Sequence, residues 1–148
     1  MSLKQKLQDD LKASLKAGDS ERRSVIGMAM AAIKNKEIEK RSELDDDEII
    51  AVLGSEIKKR KDSVAQYEQG GRPELAEGER KEAAILSEYL PEQIPEEAVR
   101  DEVKKAISET GATSMKDMGK VIGAVMAKVK GRAGGDVVSA MVKEELSK

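Results

Sequence analysis

The chain has 148 residues, a net charge of −2, 38% charged and 39% hydrophobic residues, and neither cysteine nor histidine. Such a chain fills one core or two small lobes. Its composition excludes disulfides, a thiolate nucleophile, acid–base work by histidine and a zinc site of the usual ligands. No run of about 18 apolar residues occurs, so no membrane span is expected. The opening MSLKQKLQDD lacks the apolar stretch of a signal peptide, and the expected setting is cytoplasmic. Tyr67 and Tyr89 are the only aromatic residues, so the core must be aliphatic and filled by methionine.

Ser2 to Lys16 reads as the first helix. Ser2 and Gln5 form a capping box, and Leu3, Leu7, Leu11 and Leu15 make an inward stripe at four-residue steps. Gly18 stops it. A second helix starts at Asp19 or Ser20 and runs to about Arg41, with Val25, Ile26, Met30, Ile33 and Ile38 inward. Lys34, Lys36, Lys40 and Arg41 make its end basic, as suits a helix C-terminus. Asp45 and Glu48 form a second capping box, with Leu44 stapled against Ile49. The third helix then runs about six turns to Gly70-Gly71, burying Ile49, Val52, Leu53, Ile57, Val64 and Tyr67. Its run Lys58-Lys59-Arg60-Lys61 points in four directions and reads as solvated surface, with Arg60 or Lys61 as candidate RNA contacts. Pro73 suits a first helical turn. The fourth helix runs from there to about Tyr89, with Leu75, Ile85, Leu86 and Tyr89 inward.

Leu90-Pro91 and Ile94-Pro95 then break the pattern twice in five residues. The chain is therefore expected to be all-α: a four-helix lobe over 1–90, a linker over 91–95, and a small three-helix bundle over 96–148. Glu96 to Glu109 places Val99, Val103, Ala106 and Ile107 inward, and the last helix, Asp136 to Lys148, does so with Val138, Met141, Val142 and Leu146. Residues 96–148 hold ten Lys/Arg against nine Asp/Glu, and residues 1–95 hold seventeen against twenty.

The most informative stretch lies between those two helices. Ser114 caps a helix whose first turn carries Asp117. Met115, Met118, Val121, Ile122, Val125, Met126 and Val129 form one apolar stripe. At about 100° per residue, Lys116, Lys120, Lys128 and Lys130 fall on the far arc, with Gly119, Gly123, Ala124 and Ala127 between them. Each glycine costs roughly 0.5–1 kcal/mol of helix stability against alanine, so the pair asks for a reason. Either another helix packs there, or a phosphate backbone lies there. Lys130, Gly131, Arg132, Ala133, Gly134 and Gly135 follow as a basic, glycine-rich turn. Its Arg132 offers a fork for phosphate, and the next helix offers its N-terminal amides to an anion. A C-cap turn and a solvated lysine face are the plainer readings of the same residues. No GKS or GKT follows, so the segment is not a P-loop.

DMGKVIGAVMAKVKGRAGG resembles the C-terminal signature of the YqeY family. YLPEQIPEE resembles the family's domain junction, and AAIKNKEIEKR and GGRPELAEGE its N-terminal half. Gly27 and Ala127 stand where an arginine and a proline are common, and Gly134-Gly135-Asp136 replaces an Asp-Gly pair. The family is similar to the tail domain of the B subunit of the tRNA-dependent Asp/Glu amidotransferase. That similarity implies a role in holding tRNA. It also implies a label of carbon–nitrogen ligase with glutamine as amido donor, although the machinery for that chemistry lies in domains that this chain does not contain.

The expected function is a non-catalytic RNA-binding module, for tRNA first. Lys116, Lys120, Lys128, Lys130 and Arg132 would carry charge to the phosphates, Gly119 and Gly123 would admit a close approach, and Gly131 would bind RNA as part of the turn. No catalytic residue, metal or cofactor is expected. With three or four phosphates neutralised, affinity should fall with salt at a log–log slope of about −0.7 to −0.9 per phosphate. The alternative is a protein-interaction adaptor, in which Gly119, Gly123 and Ala127 seat a partner helix from an amidotransferase or a synthetase.

Overall fold

The computed structural model describes residues 2–148. Among them the chain is all-α, with no strand. The helices are α1 (Leu3–Ala17), α2 (Ser20–Lys40), α3 (Asp46–Gln69), α4 (Pro73–Ser87), α5 (Glu96–Thr110), α6 (Met118–Val129) and α7 (Gly135–Leu146), with a 3₁₀ turn at Met115–Asp117 before α6. The chain divides into two compact units, Met1–Leu90 and Pro91–Lys148.

The caps explain where the helices of the first unit begin. At α3, Asp45 accepts the Glu48 N–H at 2.8 Å and Glu48 accepts the Asp45 N–H at 3.1 Å, so two orphan donors are satisfied reciprocally. At α1 only half of the expected box forms. Ser2 Oγ accepts the Gln5 N–H at 3.1 Å, but the Gln5 amide donates forward to Asp9 at 2.9 Å. Gly18 ends α1 with φ +70°, a conformation that glycine adopts without a Cβ penalty.

The first core gathers Leu7, Val25, Ile26, Ile33, Ile49, Leu53, Leu86 and Tyr89. Tyr89 is the polar pin of this unit. Its hydroxyl donates to the Asp10 carboxylate, and the Lys6 ammonium sits 5.3 Å from the ring centroid. Burial first, and the hydrogen bond to Asp10 second, push the phenol pKa well above its ordinary value. The end of α4 is thereby held to α1.

Four sequence expectations fail here. Leu75, expected inward, is 42% exposed in the first turn of α4, where the neighbouring Ala76 is buried instead. Leu15 is 54% exposed, because four-residue steps drift about 40° each around a helix and the fourth leucine leaves the buried arc. Ile38 is 64% exposed and Glu37 is buried in its stead. The Glu37 carboxylate accepts the Leu44 N–H at 3.1 Å and the Lys4 ammonium at 3.0 Å, so its charge is matched where an apolar side chain was expected. Arg60 is 5% exposed and is no surface RNA contact. Its Nη1 donates to the Glu56 carbonyl at 3.0 Å and the Glu56 carboxylate at 3.2 Å.

In the second unit α5, α6 and α7 pack in all three pairings. The fully buried large side chains are all valines: Val99, Val103, Val121, Val125, Val129, Val138 and Val142. Ala106, Ala133 and Met141 complete this core. A small core of short side chains brings three helices close together, and it leaves one side of α6 outside the contact.

Candidate nucleic-acid interface

The entry to α6 is fixed by backbone and side-chain bonds together. The Asp117 N–H donates to the Ser114 carbonyl at 3.0 Å, and the Asp117 carboxylate accepts the Thr113 N–H at 3.0 Å. Ser114 caps the 3₁₀ turn rather than an α-helix, and Met115, expected in the apolar stripe, is 42% exposed on that turn. From Met118 the pattern holds. Val121, Val125 and Val129 are buried, and Met118, Ile122 and Met126 are half-buried.

The other side of α6 is open. Gly119, Lys120, Gly123 and Ala127 are exposed, and so are Lys116, Lys128, Lys130 and Arg132 beside them. A Cβ added at Gly119 or Gly123 would meet nothing within 4 Å. Neither glycine is required by packing in this chain, and both have negative φ, so neither is required by backbone conformation. The helix accepts two residues of poor propensity with no internal return.

The lysines are not equivalent. Around α6, Gly119, Gly123, Ala127 and Lys120 share an arc of roughly 100°, whereas Lys128 falls about half a turn from Gly119. Lys128 instead reaches α5, where its ammonium lies 3.3 Å from Glu109 and 3.9 Å from Glu102. Among the described residues, Lys116, Lys120 and Lys130 have no carboxylate within 4.0 Å. Position decides this difference: the flank of α6 that meets α5 meets its acids.

The turn after α6 is shaped by two consecutive left-handed residues, Lys130 at φ +43° and Gly131 at φ +83°. The Arg132 N–H donates to the Val129 carbonyl at 2.9 Å, closing a turn of the type I′ pattern. Gly131 is half-buried, and its carbonyl accepts from the Gln93 amide at 2.9 Å, while the Ile94 N–H donates to the Arg132 carbonyl at 2.9 Å. Arg132 Nε donates to the Val129 carbonyl at 3.3 Å, which caps the end of α6 with a cation. The N-terminus of α7 was expected to favour an external anion. It already carries one: Asp136 stands in its first turn, and its carboxylate folds back so far that a Cβ at Gly134 would meet Oδ1 at 2.6 Å.

One groove of the first unit contrasts with this open strip. A groove of about 600 Å³ between α2 and α3 is lined by Lys36, Glu39, Lys40, Leu44, Glu48, Ala51, Val52 and Ser55. Its ionic groups pair with one another, Lys40 with Glu48 at 2.6 Å and Lys36 with Glu39 at 3.4 Å.

Against known proteins, the YqeY family model, described as Yqey-like protein, matches residues 4–146. The chain is 38% identical over 98 residues to "Altered inheritance of mitochondria protein 41, mitochondrial" of Kluyveromyces lactis, covering 66% of this chain and 52% of that protein. It is 31% identical over 102 residues to the protein of the same name from Clavispora lusitaniae, covering 69% and 58%. For Vanderwaltozyma polyspora the identity is 33% over 85 residues, covering 57% and 46%. The chain spans about half the length of the curated relatives it matches. Their names are those of mitochondrial proteins, and this overturns the expectation of a cytoplasmic protein. That expectation rested on missing cysteines and missing apolar stretches, features that report redox chemistry and membrane crossing and do not encode a compartment.

Proposed function

The chain belongs to the YqeY family, and on that premise we propose that it is a non-catalytic RNA-binding module whose partner is tRNA or another folded RNA. The observation that carries this reading is the open strip of α6, where Gly119 and Gly123 have nothing in front of them and three lysines without carboxylate partners stand around them. A phosphate backbone is the polyanion that such a strip suits, because it brings charge to the lysines and gains from close approach to bare helix. The implied similarity to the amidotransferase tail points to the same ligand. Lys116, Lys120 and Lys130 make the principal phosphate contacts, and Arg132 contributes the part of its guanidinium not held by Val129. Lys128 contributes least, since Glu109 and Glu102 already neutralise it.

Glycine substitution separates this reading from plain surface. Gly119→Ala and Gly123→Ala each add a methyl group into empty space. Each is expected to raise stability by roughly 0.5–1 kcal/mol in thermal or urea unfolding. The same variants, and Gly123→Leu more strongly, should weaken tRNA binding in a titration at low salt, because the added side chains hold the RNA off the strip and its phosphates away from the lysines. Stability and affinity moving in opposite directions supports the proposal; stability rising with affinity unchanged rules out a close approach at these residues. A partner-helix seam, the competing reading, predicts loss of a protein complex on Gly123→Leu, with little dependence on salt and no retention on tRNA.

A further inference from the structure

α6 and α7 run antiparallel, and two contacts fix their register. Ser147 Oγ lies 3.8 Å from the Met115 sulfur, and a Cβ at Gly135 would touch Met126 Cε at 4.0 Å. Between those points Lys143 of α7 falls opposite Met118 and Gly119, at the end of α6 that carries Lys116 and Lys120. Lys143 is exposed. Its acidic neighbours are engaged elsewhere: Glu144 and Glu145 take Arg100 of α5 at 3.2 and 2.8 Å, and Glu145 also takes Lys148 at 3.0 Å. Among the described residues, Lys143 has no carboxylate within 4.0 Å.

We infer that the basic surface is two helices wide, with Lys143 as a further contact, and that it takes an RNA duplex stem by its minor groove. This rests on the RNA-binding reading above and names the form of RNA. The cations form two groups, Lys116, Lys120 and Lys143 at one end and Lys130 with Arg132 at the other. Ten residues of helix separate Lys120 from Lys130, about 15 Å. Between the groups lie Gly123 and Ala127, which project almost nothing. Two positive groups flanking a bare strip match two phosphate strands flanking a shallow groove, and the A-form minor groove is wide, shallow and read by shape, 2′-hydroxyls and phosphates. A single strand is recognised by stacking on aromatic side chains. The second unit has none, because Tyr67 and Tyr89 both precede Pro91.

The test uses the full chain and a fluorescein-labelled RNA duplex of about 16 base pairs, its separated strands, and the DNA duplex of the same sequence, read by anisotropy over a salt series. The duplex RNA is expected to bind at least about tenfold more tightly than either strand or the DNA. Lys143→Glu should weaken duplex binding about tenfold and make the salt slope shallower by about one. Lys104→Glu, the same charge change at an exposed lysine of α5, should leave binding as it is. If Lys143→Glu behaves like Lys104→Glu while Lys120→Glu loses binding, the surface ends at α6, and this inference fails while the RNA reading stands. Equal binding of single strands or of DNA overturns the minor-groove assignment. Absence of binding to every nucleic acid overturns both.

Discussion

Reversing the charge at Lys120 and Lys130 together is expected to lower tRNA affinity by about a hundredfold or more at low salt, with the fold unchanged. Both side chains are exposed, and neither has a carboxylate partner among the described residues, so no internal interaction is lost. A hydrogen bond to a charged group is worth about 1.5 kcal/mol or more, so two lost contacts give about 3 kcal/mol, a factor near one hundred. Repulsion between the new carboxylates and phosphate adds to that. The salt slope should become shallower in the double variant, because fewer counterions are released. Lys128→Glu makes the useful contrast. Its ammonium already faces Glu109 and Glu102, so RNA affinity should change little, while three clustered acids lower the melting temperature. Equal losses from Lys128→Glu and from Lys120→Glu in a filter-binding or anisotropy titration would mean that general charge, and not the open strip, attracts the RNA.

Glu37→Ala is expected to be the most damaging polar substitution in the first unit. It removes the acceptor of the Leu44 N–H and of the Lys4 ammonium at once, leaving two donors without their partner near the junction of α1, α2 and α3. The melting temperature should fall by several degrees. The pH dependence follows from the same contacts. The Leu44 N–H first, and the Lys4 ammonium second, hold the Glu37 pKa below its ordinary value near 4.5. A carboxylate with a depressed folded-state pKa contributes stability that is present above its unfolded value and is lost as the pH falls through the folded one. Wild type should therefore lose stability progressively below about pH 4.5. Glu37→Gln should be less stable than wild type at neutral pH and should lose less on acidification. Unfolding curves at pH 7 and pH 4 for the two proteins check this, and parallel losses in both would remove Glu37 from the account of acid sensitivity.

The helices were legible in the sequence because their signals are local. Ser2, Asp45, Gly18 and Pro73 mark boundaries through bonds and dihedrals within a few residues of themselves. What failed to show was whatever depends on a neighbouring helix. Ile38 and Glu37 are adjacent, and hydropathy chooses the wrong one, because the buried place of Glu37 is made by Lys4 and by the backbone of Leu44. Arg60 in a basic run reads as solvent-facing until its burial and its bonds to Glu56 are seen. The candidate site divides in the same way. The alternation of glycine and lysine along α6 is visible at helical spacing, but the pairing of Lys128 needs α5 and the nearness of Lys143 needs the register of α7. Lys143 has no sequence signal of its own. It follows Val142 on an ordinary amphipathic helix, and its place opposite Met118 and Gly119 follows only from the register of α6 and α7.

The central claim is that the bare side of α6 and the cations around it receive a nucleic acid. It is tested most directly by titrating tRNA into the ¹⁵N-labelled protein at low salt and following the backbone amide signals. The amides of Gly119, Lys120, Gly123, Lys130 and Gly131 should shift together and return as salt is added, with the amides of the first unit's core still. If tRNA binds and those five signals stay in place while others move, the strip is not where the polyanion sits.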